Sequence, residues 1–385
     1  MTVPPLVRTR TRPIRVGVDG DAFRSVRTGV GRYAGELLAA AARAGGDQVR
    51  FDLTLFQEPG DGDLDALTAA GVGARHRPFT RHYHLATWLG APLPFELVAP
   101  GRDVMLFPNY WARPTWSIPR ATIVYDLSYL YVPETVDPRF IRRLRRIAPR
   151  AITHSDAVIA ISHTVAGEIT REFPDSAGKV RVITPGPSPT LMVPPPADLR
   201  ARLAALGLEP GYVLAVGTLE PRKNTATLVE AVRRMPPGTR LVLAGHAGWS
   251  SDGIHRAVDS AGDRVRWLRY PVDGDLGTLF AGAAAVALAS RYEGFGLPVL
   301  EAMSLGVPVA CSDLPVLREV AGEAAAYFDH TDPDSIAAAL SALLGDPDLR
   351  ARLAAAGIQQ ARRYAWERSG ADLVDLVTGL AGRER

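Results

Sequence analysis

The 385-residue chain has a single cysteine, Cys311, which rules out an intramolecular disulfide framework. A lone thiol fits a reducing compartment. Its place after the apolar run V-P-V-A marks it as a small buried residue rather than a reactive one. Long hydrophobic runs are missing as well: no window approaches the roughly 20 apolar residues that a membrane-spanning helix needs. The longest candidate, residues 281–289, reads as the end of a helix followed by a strand. The first residues, M-T-V-P-P-L-V-R-T-R-T-R-P, lack the continuous apolar core of a signal peptide. The expectation is a soluble, cytoplasmic protein. Excess charge is scarce too. Lys and Arg total 44 against 41 Asp and Glu, a net +3 that does not suggest wholesale nucleic-acid binding. The histidines and the cysteine form no cluster with metal-ligand spacing, and His82 and His84 lack a partner motif, so no metal site is expected.

What is present is a repeating alternation of apolar strands and helices. Strands are expected at 14–19, 51–56, 103–107, 121–126, 157–162 and 180–183, with a helix starting near Gly31 or Arg32 and another over 138–153. The proline-rich stretch T-P-G-P-S-P-T-L-M-V-P-P-P (184–196) cannot continue a helix and reads as a linker. Beyond it the alternation restarts with G-Y-V-L-A-V-G-T, a helix near 224–235 and R-L-V-L-A-G. Strands follow at 265–268, 285–289, 307–311 and 325–328. Such a pattern predicts an α/β protein of two doubly wound parallel sheets, covered by helices on both faces.

The most informative segment is R-Y-E-G-F-G-L-P-V-L-E-A-M-S-L-G-V-P-V-A (291–310). Pro298 suits the first turn of a short helix over about 298–305, and Gly306 and Pro308 mark its exit. Gly294 and Gly296 allow a ligand close to the backbone. The unpaired N–H groups at the helix start, together with its dipole, suit a phosphate or diphosphate. Glu293 precedes the helix and Glu301 lies inside it, so the two acids can flank one ligand. They can also be ordinary acids near a helix start.

With seven residues between Glu293 and Glu301, this block resembles the E-x7-E element of retaining, nucleotide-sugar-dependent glycosyltransferases of the GT-B fold, group 1, mannosyltransferase-like. The resemblance implies two Rossmann-like domains facing across a cleft. An acceptor-binding domain would span 1–187 and a nucleotide-sugar-binding domain 188–364, with a C-terminal helix in 365–385 crossing back to the first. It further implies that Glu293 faces the transferred sugar and Glu301 the ribose, with Gly294, Phe295, Gly296 and Leu297 forming the donor turn. The segment V-G-T-L-E-P-R-K-N (216–224) resembles the family's G-x-x-x-x-R-K-N. That places Arg222 and Lys223 on the donor diphosphate, where a guanidinium fork and a mobile ammonium would stabilise the leaving group. A surface Arg-Lys pair is the alternative.

V-R-T-G-V-G-R-Y (26–33) looks like the family's glycine loop, with Gly29 and Gly31 approaching the donor phosphates or the acceptor. The same stretch fails the dinucleotide fingerprint, because Ala34 stands where its third glycine belongs. Where many relatives carry His-Asp, this chain has Tyr125 before Asp126. A tyrosine can hydrogen-bond a sugar but is a poor base near neutral pH. Asp126 either orients the acceptor hydroxyl or caps its loop.

The Arg-rich helix around 139–150 alternates apolar residues with Arg139, Arg142, Arg143, Arg145 and Arg146. It either presents a solvated face or rests on anionic headgroups, a peripheral contact at the inner face of the membrane. The expected reaction is transfer of a hexose, mannose first, from a nucleoside diphosphate sugar, GDP first, to a hydroxyl. The acceptor would be a glycan, a lipid-linked molecule or a small molecule. The donor is a substrate, and no cofactor or metal is expected because protein cations and a helix dipole carry the charge. A sugar-nucleotide hydrolase or phosphorylase on the same fold, and a non-catalytic binding subunit, are the competing readings.

Overall fold

A computed structural model of the chain describes residues 12–23, 29–58, 64–76, 79–193, 196–269 and 273–382. Residues 26–28 of the glycine loop and the residues before Arg12 lie outside the described residues. The apolar runs form two sheets in which every pairing is parallel. The first contains β1 (Ile14–Asp19), β2 (Val49–Leu55), β3 (Gly73–His76), β4 (Val104–Phe107), β5 (Arg120–Val124), β6 (Ala157–Ala160) and β7 (Val180–Val182). Its order is β3-β2-β1-β4-β5-β6-β7. The second contains β8 (Tyr212–Val216), β9 (Leu241–Ala244), β10 (Val265–Leu268), β11 (Ala283–Leu288), β12 (Val309–Ser312) and β13 (Ala325–Phe328). Its order is β10-β9-β8-β11-β12-β13.

Central strands such as β4 and β12 are buried along their whole length, as sheets covered on both faces require. The doubly wound architecture read from the alternation is therefore the observed one. Each sheet has one place where successive connections leave to opposite sides: between β1 and β4 in the first, between β8 and β11 in the second. Crevices that bind ligands open at the carboxyl ends of strands at such points.

Boundaries differ from the sequence expectation by a residue or two, and one strand was not foreseen. The edge strand β3 is short and half-exposed and carries Arg75 and His76, so it offers no apolar run to read. The first helix, Gly29–Gly45, starts two residues before Gly31, and Cys311 is buried in β12.

The two units are tied together at the back. The last helix, Trp366–Ala381, packs against the helix Gly29–Gly45 of the first unit. Trp366 Nε1 donates to the Pro187 carbonyl at 2.9 Å, and Ser369 Oγ donates to the Thr184 carbonyl at 2.6 Å. Tyr33 closes the same corner by donating to the Ile183 carbonyl at 2.7 Å. The proline-rich crossing is thus pinned by three backbone carbonyls, which prolines leave free to accept.

At Gly370 the two helices touch so closely that a Cβ would lie 2.5 Å from the carbonyl carbon of Ala40. At Gly379, in the same helix, a Cβ would meet nothing within 4 Å. Gly370→Ala is therefore expected to lower stability by about 1–3 kcal/mol, whereas Gly379→Ala raises it by roughly 0.5–1 kcal/mol through helix propensity. Denaturant unfolding of the two variants beside the wild type checks the opposite signs.

Candidate active site

The loops that follow β8 and β11 meet at the second sheet's crevice. The backbone N–H of Arg291 donates to the Arg222 carbonyl at 2.8 Å, which joins the loops directly. The turn then runs through Glu293, Gly294, Phe295 and Gly296 into the helix Leu297–Ser304. Gly296 sits at φ +99°, a region that favours glycine, and a Cβ there would lie 2.6 Å from Leu317 Cδ2. Phe295 is buried and meets Tyr364 edge-on, which anchors the turn. No side chain caps the helix, and the N–H groups of Gly294 to Leu297 find no acceptor among the described residues. Leu297 is half-buried at the first helical position.

Glu293 is buried beneath two cations. Its Oε1 accepts from Lys223 Nζ at 2.6 Å and from Ser290 Oγ at 2.6 Å, and its Oε2 accepts from Arg222 Nη1 at 3.0 Å. Arg222 also donates to Glu220 at 2.7 Å and to the Tyr292 carbonyl at 3.0 Å. Burial alone would raise the Glu293 pKa, but Lys223 and Arg222 outweigh it and hold the carboxyl at about 2. Burial would weaken the charge on Arg222, yet Glu293 and Glu220 drive its pKa upward. The group of two acids and two bases is locally neutral and rigidly bonded.

Glu301 behaves differently. It is fully buried, and neither carboxylate oxygen has a hydrogen-bond partner among the described residues. Arg32 Nη2 of the first unit lies 2.8 Å from Oε1, close enough for an ion pair but without the alignment of a hydrogen bond. Burial raises the Glu301 pKa, and Arg32 opposes that only in part.

Across the cleft the first unit presses its β5 loop onto the turn. A Cβ on Gly294 would lie 1.8 Å from the Tyr125 carbonyl oxygen and 3.2 Å from Asp126 Cβ, so only glycine fits. Ser162 Oγ donates to the Gly294 carbonyl at 2.8 Å. Tyr292 reaches over, its hydroxyl accepting from Leu127 N at 2.9 Å and donating to Glu168 at 2.6 Å. The Tyr125 hydroxyl points away from this contact. It is buried, donates to the Pro108 carbonyl at 2.9 Å and lies edge-on to Tyr33. Asp126 Oδ1 accepts from the Ser128 N–H and hydroxyl at 2.9 and 2.8 Å, which closes an Asx turn, and its charge acts on Arg222 and Tyr292. Gly29 and Gly31 occupy the first turn of the helix that carries Arg32; a Cβ on Gly29 would meet nothing within 4 Å.

Glu293, Arg222, Lys223 and the glycine turn thus converge, and Asp126 approaches them from the other unit. Sequence reading did not single out Ser290, Glu220, Tyr292, Glu168, Ser162 or Arg32. Of these only Arg32 carried a local signal, as the basic residue directly after the G-x-G. Among the described residues, no group of three or more His, Cys, Asp or Glu side chains is arranged to hold a metal ion.

The profile of the family described as glycosyl transferases group 1 matches residues 204–360. The chain is 31% identical over 360 residues to O-antigen chain mannosyltransferase B of Escherichia coli, covering 88% of this chain and 93% of that protein. Among solved structures, HepE of Anabaena in complex with UDP-glucose superposes with a TM-score of 0.75 at 18% identity, covering 95% of this chain and all of the other. Sucrose-phosphate synthase of Thermosynechococcus elongatus superposes with a TM-score of 0.72 at 21% identity, over 96% of this chain and 99% of that one.

The Glu293 pairing makes a pH-dependent contribution to stability. Its pKa in the folded protein lies below the ordinary carboxylate value, so the contribution is complete above the unfolded pKa near 4.5 and fades as pH falls towards about 2. Glu293→Gln, which leaves Lys223 without its acid and Arg222 with Glu220 alone, should cost roughly 3 kcal/mol at pH 7. The gap to wild type should narrow below pH 4.5; chemical unfolding at pH 7, 5 and 3.5 measures it.

Proposed function

The chain belongs to the group 1 glycosyl transferases and has their GT-B fold, and from that premise we propose that it transfers a hexose from a nucleoside diphosphate sugar to an acceptor hydroxyl with retention of configuration. Mannose is the proposed sugar and GDP the proposed carrier, supported by the identity to a mannosyltransferase over most of both chains. The observation that carries the reading is the buried Glu293 held by Arg222 and Lys223 beside an uncapped helix start.

In this scheme the diphosphate rests on the free N–H groups of the glycine turn, which the helix dipole favours. Arg222 and Lys223 stabilise the charge that grows on the departing diphosphate as the sugar–oxygen bond breaks and the electron pair leaves with it. Glu293 has a depressed pKa, so it stays ionised and accepts hydrogen bonds from sugar hydroxyls instead of donating a proton. The acceptor oxygen forms the new bond on the face the diphosphate leaves, and its proton passes to a phosphate oxygen of the leaving group. Asp126, with one oxygen committed to the Ser128 turn, orients the acceptor through the other. Tyr125 positions that loop from within the first unit, and Gly29 and Gly31 line the opposite wall. Glu301 takes the ribose. The charges needed come from the protein, so the proposed reaction is metal-independent.

The acceptor is a glycan, lipid-linked or small-molecule hydroxyl. A membrane-associated acceptor is supported by the helix Pro138–His154, which exposes Arg142, Arg145, Arg146, Arg150 and the ring of Phe140. The neighbouring Trp88 is stacked on Arg143 at 4.4 Å and half-exposed, beside exposed Leu85 and Leu89. Basic residues around apolar ones suit an anionic surface. No helix among the described residues is long and apolar enough to cross a membrane.

A donor panel of GDP-, UDP-, dTDP- and ADP-sugars, run with EDTA and with and without acceptor, tests the assignment. GDP release from GDP-mannose that rises with acceptor is expected, with the α-anomer of the donor kept in the product by NMR. Glu293→Gln and Lys223→Ala should each reduce kcat by roughly 100-fold or more; near-normal turnover in both would refute the site. Co-sedimentation with anionic but not neutral vesicles, lost in the Arg142→Glu/Arg146→Glu double variant, is expected for the membrane contact.

A further inference from the structure

Arg32 and Glu301 meet across the cleft in a contact that satisfies neither well. The carboxylate is completely buried, and among the described residues both of its oxygens lack hydrogen bonds and its one counter-charge is the guanidinium of Arg32, a side chain itself a third exposed. A buried carboxylate without hydrogen bonds is costly, and it is relieved when donors arrive on both oxygens. The two vicinal hydroxyls of a ribose supply such donors, but the Arg32 guanidinium stands on Oε1 and has to move aside first. The Glu301 Cα lies five residues, about 7.5 Å, beyond Gly296 along the helix axis, and a helical side chain tilts back toward the helix start, where the guanidinium would move. That is within the reach of a flexible arginine side chain.

Electrostatics gives the displaced group a destination. Glu293 and Glu220 offset most of the charge on Arg222 and Lys223, so these two meet an incoming diphosphate with directed donors but little net positive charge. An additional cation is needed, and Arg32 is the one across the cleft that ribose binding releases. We propose that Arg32 is a donor-phosphate ligand that exchanges partners: it pairs with Glu301 when the cleft is empty and with the diphosphate when ribose hydroxyls occupy Glu301. The inference rests on the nucleotide-sugar reading above and extends it. Because Arg32 belongs to the first unit and Glu301 to the second, the exchange makes the phosphates, and not the nucleoside alone, hold the two units together.

The partner exchange predicts effects of opposite sign for one substitution. Arg32→Ala frees Glu301, so calorimetry should show guanosine binding unchanged or tighter, while GDP binding weakens roughly tenfold or more through loss of a charge-assisted hydrogen bond. Arg32→Lys, which keeps the charge and limits any folding defect, should recover part of the GDP affinity. Uridine and UDP are measured in parallel. If Arg32→Ala weakens nucleoside and diphosphate equally, or leaves their ratio at the wild-type value, Arg32 is only a structural tie and the proposal fails. Wild-type protein that binds neither diphosphate overturns the nucleotide-sugar reading itself, a different signature.

Discussion

The site depends on a carboxylate and two cations that are forced to share a place away from water. Isolated, the buried Glu293 would take up a proton, and buried Arg222 and Lys223 would be costly to keep charged. Together they keep Glu293 ionised, fix the loops after β8 and β11 against each other, and fill the crevice with charge whose geometry is set before any ligand arrives. Ser290 adds the third hydrogen bond that the geometry of a buried ion pair demands. Preorganised charge of this kind serves transfer chemistry because it needs no rearrangement as the leaving group develops its own charge.

The same loop is also the seam between the two units. Its glycine admits the Tyr125 carbonyl, its Gly294 carbonyl accepts from Ser162, and its tyrosine bridges Leu127 and Glu168. A second tie lies nearby. Glu319 of the second unit accepts from the N–H groups of His163 and Thr164 at 2.7 and 2.8 Å, which places a carboxylate at the start of the helix His163–Glu172. These contacts are mostly polar, with the Tyr131 ring stacked on Tyr292 beside them. The crossing of the last helix, by contrast, buries Trp366, Leu373, Val377 and Leu380. The back of the molecule is therefore a fixed joint of apolar packing, while the front is held mainly by hydrogen bonds.

How much of this the sequence disclosed follows from how local each feature is. The expected phosphate cradle shows itself as closely spaced glycines, a proline at a helix start and acids at fixed offsets, all of which can be read within twenty residues. Parallel strands buried on both faces announce themselves as apolar runs, and all but the half-exposed β3 were visible. What was hidden depends on residues far apart in the chain. Nothing near Glu301 shows that Arg32 will face it. The orientation of Tyr125 was equally hidden: its place in the motif suggested a hydroxyl towards the sugar, whereas the fold spends that hydroxyl on the Pro108 carbonyl and lends the cleft only its backbone. Asp126 was open between capping its loop and orienting an acceptor. One oxygen does cap the loop, and the side chain also stands close enough to Arg222 for its charge to matter.

The strand orders explain why the two halves of the site face each other. Arg222, Lys223 and Glu293 follow β8 and β11, the two strands that flank the crevice of the second sheet. The corresponding strands of the first sheet are β1 and β4. Asp19 ends β1 and Asp21 follows it, while Asn109, Trp111 and Arg113 follow β4. Here, too, a buried ion pair stiffens the crevice. Arg113 is completely buried, and its Nε donates to Asp19 at 2.7 Å. It also donates to Thr87 and, at 3.0 Å, to His84 Nδ1. Trp111 lies against Arg113 at 4.1 Å and against Arg143 at 4.7 Å, and Arg143 in turn meets Trp88. One unbroken stack of guanidinium and indole therefore links the crevice to the basic helix on the surface. Both crevices are built from a buried acid–arginine pair at a strand end, one supplied with N–H groups unpaired among the described residues and cations fixed on Glu293, the other walled by rigid aromatic and polar groups. The chemistry can then be confined to the gap between them, where the Asp126 loop touches the Glu293 turn.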